Sequence, residues 1–346
     1  MNRIAILYTP AGGGHKAAAN AIAAELAGAG AVVEVRNVLD FAPSWFAYDR
    51  AWKLIQRHGG VAWDALFDVT ERGWDVDAIR LPLNGLLFAS LDRWLIDFAP
   101  THVVCTHYLP ALAVTRVREK LAARVIVTVT DHQAHRAWVV PGVDAYCVPD
   151  VQVARAIARR TRANVIVTGV PIARCDRPVR GANGARVLAL LGSVPARDAR
   201  IAIDSLVGVK DLEVLAGEHL EYARAKLPHA QVAARADGLY AAIDRADVVV
   251  TKAGGLTVAE CMARGRAMVL PFAAPGQERG NVFYALHAGA AVRAELPDLG
   301  DVLAELVAEP GTLRKMGTRA RFAAHPDAAA QVVRALLGTQ EVARVA

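Results

Sequence analysis

Short apolar runs alternate with helical stretches from one end of this chain to the other, and that order constrains the fold more than any other feature. The runs are Ile4 to Tyr8, Val32 to Asn37, His102 to Thr106, Arg124 to Thr130, Ala145 to Val148 and Val165 to Thr168. After Gly181 they restart at Arg186 to Leu191, Asp211 to Ala216, Gln231 to Ala233, Ala246 to Val250, Ala267 to Pro271 and Ala290 to Val292. Stretches with helical periodicity lie between them, for example Ala17 to Ala27, Leu109 to Ala122 and Val151 to Arg159. Strands separated by helices pair in parallel through right-handed crossovers. Two such sets predict an α/β protein of two Rossmann-like domains with parallel sheets, facing a cleft between them.

Gly169-Val170-Pro171-Ile172-Ala173-Arg174-Cys175-Asp176-Arg177-Pro178 interrupts the alternation with two prolines. We read a first domain over 1–168, a linker over 169–184 and a second domain over 185–346. The last helix, from about Asp327 to Leu337, is a candidate to pack back on the first domain. Ligands are expected in the cleft, at the carboxyl ends of the strands.

At 346 residues and 54% hydrophobic, the chain has material for two cores. Its apolar runs are too short to span a membrane. Met1 to Tyr8 reads as a first buried strand and not as a signal peptide, which predicts a cytoplasmic protein. Cys105, Cys147, Cys175 and Cys261 are scattered, so they read as reduced and structural, with no metal site. The net charge of +6 fits either attraction to anionic lipid or nucleic acid, or a plain arginine excess. A basic-aromatic nucleic-acid signature is absent, so no nucleic-acid partner is expected.

Residues 40–99 form an insertion. It holds five of the six tryptophans (Trp45, Trp52, Trp63, Trp74 and Trp94) interleaved with Arg50, Lys53, Arg57, Arg72, Arg80 and Arg93. Aromatics at helical spacing are ordinary core. The same stretch also suits a helical lid for an apolar acceptor or a membrane interface.

The chemistry gathers at strand ends. Thr251-Lys252-Ala253-Gly254-Gly255-Leu256-Thr257-Val258-Ala259-Glu260 joins a buried strand to a helix read from Val258 to Arg264. A glycine pair there admits a ligand to the backbone, and the helix N-terminus offers N–H groups to a phosphate. Glu260, one turn in, suits sugar hydroxyls. Pro275-Gly276-Gln277-Glu278 and Asn281 follow the next strand at the same sheet edge.

In the first half, Thr9-Pro10-Ala11-Gly12-Gly13-Gly14-His15 follows the first strand. It lacks the GxGxxG spacing of a dinucleotide loop, and no acidic residue ends the second strand. His15 is either a general base or a cap on the first helical turn. Thr106-His107-Tyr108 and Thr130-Asp131-His132-Gln133-Ala134-His135-Arg136-Ala137-Trp138 supply two further polar tips on other strands. Zinc is discounted for want of an HExxH spacing. Asp131 is a candidate to support His15 or to contact an acceptor.

Six motifs then appear in one order: the GGGH loop, Thr106-His107, the Thr-Asp-x-x-x-His-x-x-Trp run, Gly169-Val170-Pro171-Ile172, Lys-x-Gly-Gly-Leu-Thr-x-x-Glu and Pro-Gly-Gln-Glu-x-x-Asn. Over nearly its whole length the chain resembles the monogalactosyldiacylglycerol synthase and processive diacylglycerol glucosyltransferase family. Its C-terminal half also resembles the peptidoglycan lipid-II N-acetylglucosaminyltransferase. The resemblance implies a glycosyltransferase-B fold, inversion at the anomeric carbon, no bound metal and no cofactor besides a UDP-sugar donor, UDP-glucose or UDP-galactose. It implies that Glu260 binds the ribose, that Gly255, Leu256 and Thr257 hold the diphosphate, and that Gln277, Glu278 and Asn281 lie at the sugar. Gly14, Ser193, Lys252 and Gly254 complete the candidate nucleotide-sugar residues. His15 and Asp131 are the candidate catalytic pair, and His107, His135 and Trp138 the candidate acceptor residues. The expected partners are a lipid acceptor, diacylglycerol first, and an anionic membrane surface such as the inner face of the plasma membrane.

The chain departs from the family at Leu191-Gly192-Ser193-Val194-Pro195-Ala196, where Pro195 removes an N–H donor and restricts Val194. That weakens any phosphate contact from this loop, Ser193 included. The short N-terminus fits a bacterial enzyme better than a plastid one. Rival readings are the same transfer to a soluble acceptor, a UDP-sugar epimerase, and a non-catalytic UDP-sugar sensor.

Overall fold

The computed structural model describes residues 1–10, 13–46, 68–71, 87–175, 186–236, 238–273, 276 and 278–338. The chain divides into two units, one built on Met1–Arg174 with His325–Ala346 and the other on Cys175–Ala274 with Glu278–Ala324. Of the linker read over 169–184, residues 176–184 lie outside the described residues.

The first unit holds strands β1 (Arg3–Tyr8), β2 (Val32–Asn37), β3 (His102–Cys105), β4 (Arg124–Thr128), β5 (Ala145–Val148) and β6 (Asn164–Val167). They pair in parallel in the order β2-β1-β3-β4-β5-β6. The second holds β7 (Val187–Leu190), β8 (Leu212–Leu215), β9 (Gln231–Ala233), β10 (Val248–Lys252), β11 (Ala267–Phe272) and β12 (Ala291–Val292). Their order is β12-β11-β10-β7-β8-β9, again all parallel. Each sheet therefore reverses direction once, between β1 and β3 in the first and between β7 and β10 in the second. A crevice forms at such a reversal because the two following helices leave on opposite faces.

Strand side chains alternate between two buried faces, which is why these runs read as continuously apolar. In the first sheet Ala5, Leu7, Val103, Cys105, Val125 and Val127 enter one core. Ile4, Ile6, Val104, Ile126 and Cys147 enter the other. The second core is closed by Ala19, Ile22 and Leu26 of helix Gly14–Leu26 together with Val332, Ala335 and Leu336 of helix Ala328–Leu337. The chain's last described helix thus packs on its first. In the second sheet Val187, Ala189, Val248 and Val250 face one core, and Leu188, Val249, Met268 and Leu270 the other.

Several expected boundaries move. The run Ala246 to Val250 becomes Val248–Lys252, because Asp247 turns its carboxylate onto the Arg186 N–H at 3.0 Å and an irregularity carries the strand on to Lys252. The helix expected over Leu109 to Ala122 is α-helical only over Tyr108–Val114 and tightens to a 3₁₀ turn over Thr115–Lys120. The Thr115 hydroxyl donates to the Leu112 carbonyl at 2.7 Å there and competes with the helical ladder. The helix read from Val258 begins at Gly255.

Most of the aromatic insertion lies outside the described residues, including Trp52, Trp63, Trp74, Arg50, Lys53 and Arg57. The described part behaves in two ways. Trp94 is core: it stacks on Phe98 with centroids 5.2 Å apart and packs against Phe41 at 5.4 Å. Trp45 is 64% exposed.

Gly217 is required by geometry. Its φ is +58°, and a Cβ there would stand 2.5 Å from the Gly192 Cα. The turn after β8 thereby approaches the turn after β7. Gly217→Ala is expected to destabilise the second unit by about 2 kcal/mol or more, read as a lower urea midpoint.

Candidate active site

In the first unit the polar tips converge at the sheet's reversal point. His15 lies in the first turn of helix Gly14–Leu26, directly after β1, and Thr106 and His107 follow β3. The His15 ring does not cap its helix: both of its hydrogen-bond partners lie beyond other strands. Its Nδ1 instead lies 2.7 Å from the Thr106 carbonyl and 3.3 Å from the Thr130 hydroxyl. The Thr106 hydroxyl returns a bond to the His15 carbonyl at 2.9 Å, so backbone and ring are clasped together. A carbonyl can only accept, so Nδ1 carries the proton and the lone pair is on Nε2. Nε2 has no hydrogen-bond partner among the described residues. Burial drives the His15 pKa down to about 4, with the Thr106 bond opposing. His15 is therefore neutral at physiological pH.

Asp131 does not hydrogen-bond His15; the group that orients the ring is a backbone carbonyl. The neighbouring His132 holds a carboxylate instead, with Nδ1 2.6 Å from Asp150 Oδ2. The other Asp150 oxygen caps helix Val151–Ala158. Desolvation raises the Asp150 pKa, but the bonds from His132 and the helix N–H groups outweigh it and leave it lowered.

His107 and Trp138 stand beside the His15 ring, and His135 caps the short turn that carries Trp138. His107 is buried, 4.6 Å from the His15 ring centroid and 5.9 Å from Trp138. Desolvation first, and His15 second, hold it well below the usual imidazole range. Its Nδ1 accepts the Leu109 N–H at 3.2 Å, capping the next helix. His135 is fixed the same way: Nδ1 accepts the Ala137 N–H at 3.0 Å and Nε2 meets the Thr70 hydroxyl at 3.0 Å. Trp138 is 5% exposed and belongs to the core.

The second unit presents a different chemistry at its own reversal point. A cavity of about 380 Å³ is lined by Gly192 and Ser193 after β7, Leu215 at the end of β8, Thr251 and Lys252 at the end of β10, and Thr257. The ladder of helix Gly255–Ala263 starts with the Val258 N–H bonding to the Gly254 carbonyl at 2.9 Å. The N–H groups of Gly255, Leu256 and Thr257 therefore have no acceptor within the helix. With the positive helix end, they suit an anion. Ser193 is exposed in the cavity wall, while Val194 is buried and turned inward.

Lys252 and Glu278 form an ion pair at 2.7 Å, with the Glu278 side chain 4% exposed. Asn281 is fully buried and donates to the Ala253 carbonyl at 2.9 Å, which braces the glycine turn. Gln277 lies outside the described residues. Glu260 is 2% exposed. Burial lifts its pKa to about 7, against a hydrogen bond from Tyr240 and the charge of Arg264. Arg264 in turn lies over the Tyr240 ring at 4.3 Å.

In the sequence Thr106 and Thr130 stand in motifs without a role of their own, and Tyr240 stands in none. The service Thr106 gives is largely a backbone carbonyl, which has no side-chain signature. Tyr240 stands twenty positions before Glu260, on another helix.

The comparisons with known proteins bear on both halves. Residues 15–172 match the model of the monogalactosyldiacylglycerol (MGDG) synthase family. Monogalactosyldiacylglycerol synthase 3, chloroplastic, of Arabidopsis thaliana is 24% identical over 96% of this chain and 80% of its own length. The UDP-N-acetylglucosamine–N-acetylmuramyl-(pentapeptide) pyrophosphoryl-undecaprenol N-acetylglucosamine transferase of Halorhodospira halophila is 38% identical over 176 residues in the C-terminal half. That match covers 45% of this chain and 49% of the relative, so the chain spans about half the length of this relative. The crystal structure of Acinetobacter baumannii MurG superposes with a TM-score of 0.68 at 17% identity, covering 98% of this chain and all of that one. The resemblance read from the motifs thus holds in both halves, and the fold is the glycosyltransferase-B fold.

Proposed function

We propose that this chain is an inverting glycosyltransferase that moves a hexose from a UDP-sugar to a hydroxyl of a lipid acceptor, diacylglycerol. The observation that carries the reading is His15, a neutral imidazole pinned through Nδ1, with no partner for its basic Nε2 among the described residues, at the reversal point of the first sheet. The likeness to a galactolipid synthase over most of the chain supports the acceptor class.

In this reading Nε2 of His15 takes the proton of the acceptor hydroxyl. The oxygen attacks the anomeric carbon, the bond from that carbon to the diphosphate breaks, and UDP leaves. The N–H groups of Gly255, Leu256 and Thr257 stabilise the charge that develops on the diphosphate. Lys252 contributes to the extent that Glu278 releases it. Glu260 exchanges Tyr240 for the ribose hydroxyls. Asp131 and the edges of His107, His135 and Trp138 border the acceptor. The protein would work at a membrane surface; among the described residues, no helix is long and apolar enough to cross one.

The test is incubation with UDP-glucose or UDP-galactose and either diacylglycerol vesicles or soluble alcohols, with the product linkage assigned by NMR. An α-linked donor must give a β-linked glycolipid. Product on soluble alcohols alone moves the acceptor class; an α-linkage overturns inversion.

The histidine also fixes the pH profile. The free-protein pKa of about 4 lies below the usual 6.5, so the base is available from about pH 5 upward. The acid limb of kcat/KM assigned to His15 should fall near pH 4. A limb near 6.5 that vanishes in His15→Ala would show a solvated ring and contradict the clasp.

A further inference from the structure

We propose that helices Arg279–His287 and Pro310–Ala323 of the second unit together form a docking face for an anionic lipid bilayer. The two helices are distant in sequence from the tryptophan-rich insertion over 40–99, and no motif pointed to them. It deepens the lipid-acceptor reading and rests on it for its purpose. Its test reads binding and not turnover, so either can fail alone.

Two observations place the helices side by side. The Tyr284 hydroxyl donates to the Ala323 carbonyl at 2.7 Å. The Arg319 side chain lies against Gly289, where an added Cβ would come within 3.0 Å of it. Contacts at 284 with 323 and at 289 with 319 run the two helices antiparallel. Their inward residues are spent on the core: Val282 and Ala285 from one, Ala320 from the other.

The outward residues are unusual for a surface. Phe322 is 93% exposed and Phe283 67% exposed, and each is the chain neighbour of one partner in the Tyr284–Ala323 bond. Phe283 stacks on His287 with centroids 5.6 Å apart, which holds its ring outward, and Leu286 beside them is 36% exposed. Exposed phenylalanines on two helices joined by a hydrogen bond need a reason in water.

Charge identifies the occupant. The two helices carry five Lys or Arg (Arg279, Arg314, Lys315, Arg319 and Arg321) and not one Asp or Glu. Arg314, Lys315 and Arg319 are exposed. Aromatic side chains flanked by exposed cations are what an anionic interface recognises: rings enter the headgroup boundary while cations meet the lipid charge.

The experiment is sedimentation of the full chain with vesicles of phosphatidylcholine containing 30% phosphatidylglycerol, and with pure phosphatidylcholine, at low salt. Wild type should pellet with the first and not the second, and 0.5 M salt should release it. The Arg314→Gln/Lys315→Gln/Arg319→Gln variant should lose roughly a hundredfold in partition coefficient, at several-fold per cation. Phe283→Ser/Phe322→Ser should lose roughly tenfold or more. All five side chains are exposed, and an unchanged thermal midpoint checks that each variant folds. An Arg50→Ser/Lys53→Ser/Arg57→Ser variant, which alters the insertion instead, should keep the binding carried by this face. Wild-type partitioning in the first two variants overturns the proposal. So does an aromatic-dependent dimer in the ultracentrifuge with vesicle binding unaltered.

Discussion

His15→Ala will lower turnover by roughly a hundredfold or more while UDP affinity stays at the wild-type value. The split is expected because the ring belongs to the first unit, whereas the helix end proposed to hold the diphosphate, and Glu260, belong to the second. A base removed from a reaction of this type costs about two to four powers of ten. Thr106→Ala is the informative companion. It keeps the carbonyl that holds Nδ1 and loses only the hydroxyl that bonds the His15 carbonyl at 2.9 Å. That variant should retain most of the activity. A His15→Ala protein with near-normal turnover would leave the clasp as a structural device and end its assignment as the base.

Glu260→Ala should weaken UDP binding by roughly 10- to 150-fold in calorimetry. A charged hydrogen bond to a hydroxyl is worth about 1.5–3 kcal/mol. The wild-type protein offers a second readout. In the free state burial holds the Glu260 pKa up at about 7. Hydroxyls donating to the carboxylate favour its ionised form, so binding lowers that pKa. Affinity should therefore rise as pH passes upward through 7, with proton release visible as a buffer-dependent heat. Loss of that proton release in Glu260→Gln, with release intact in His15→Ala, would tie it to this carboxylate. Unchanged affinity in Glu260→Ala places the nucleotide elsewhere.

Much of this was legible in the chain. Parallel strands buried on both faces leave continuous apolar runs, so all twelve strands could be read, and the glycine turns marked where backbone comes close to a ligand. The pattern also put the chemistry at strand ends. What stayed hidden were partnerships made by backbone or by distant side chains. Asp131 was a candidate to support His15 or to contact an acceptor; the support for the ring comes from the Thr106 carbonyl. The helix start was misread by three residues because Gly255 and Thr257 are poor helix formers, a preference that burial of Leu256 and Val258 overrides. Beside their reading as sugar contacts, Asn281 braces Ala253 and Glu278 pairs with Lys252, which spacing does not reveal. Spacing shows which residues share an edge and not which of them bond each other.

The most direct measurement is a stoichiometry. The purified chain is incubated with radiolabelled UDP-glucose or UDP-galactose and vesicles containing diacylglycerol; UDP released and label extracted into the organic phase are counted together. One glycolipid formed for each UDP released, with both lost in His15→Ala, is the result predicted here. UDP release without labelled lipid, or sugar-nucleotide conversion that needs no acceptor, would contradict it.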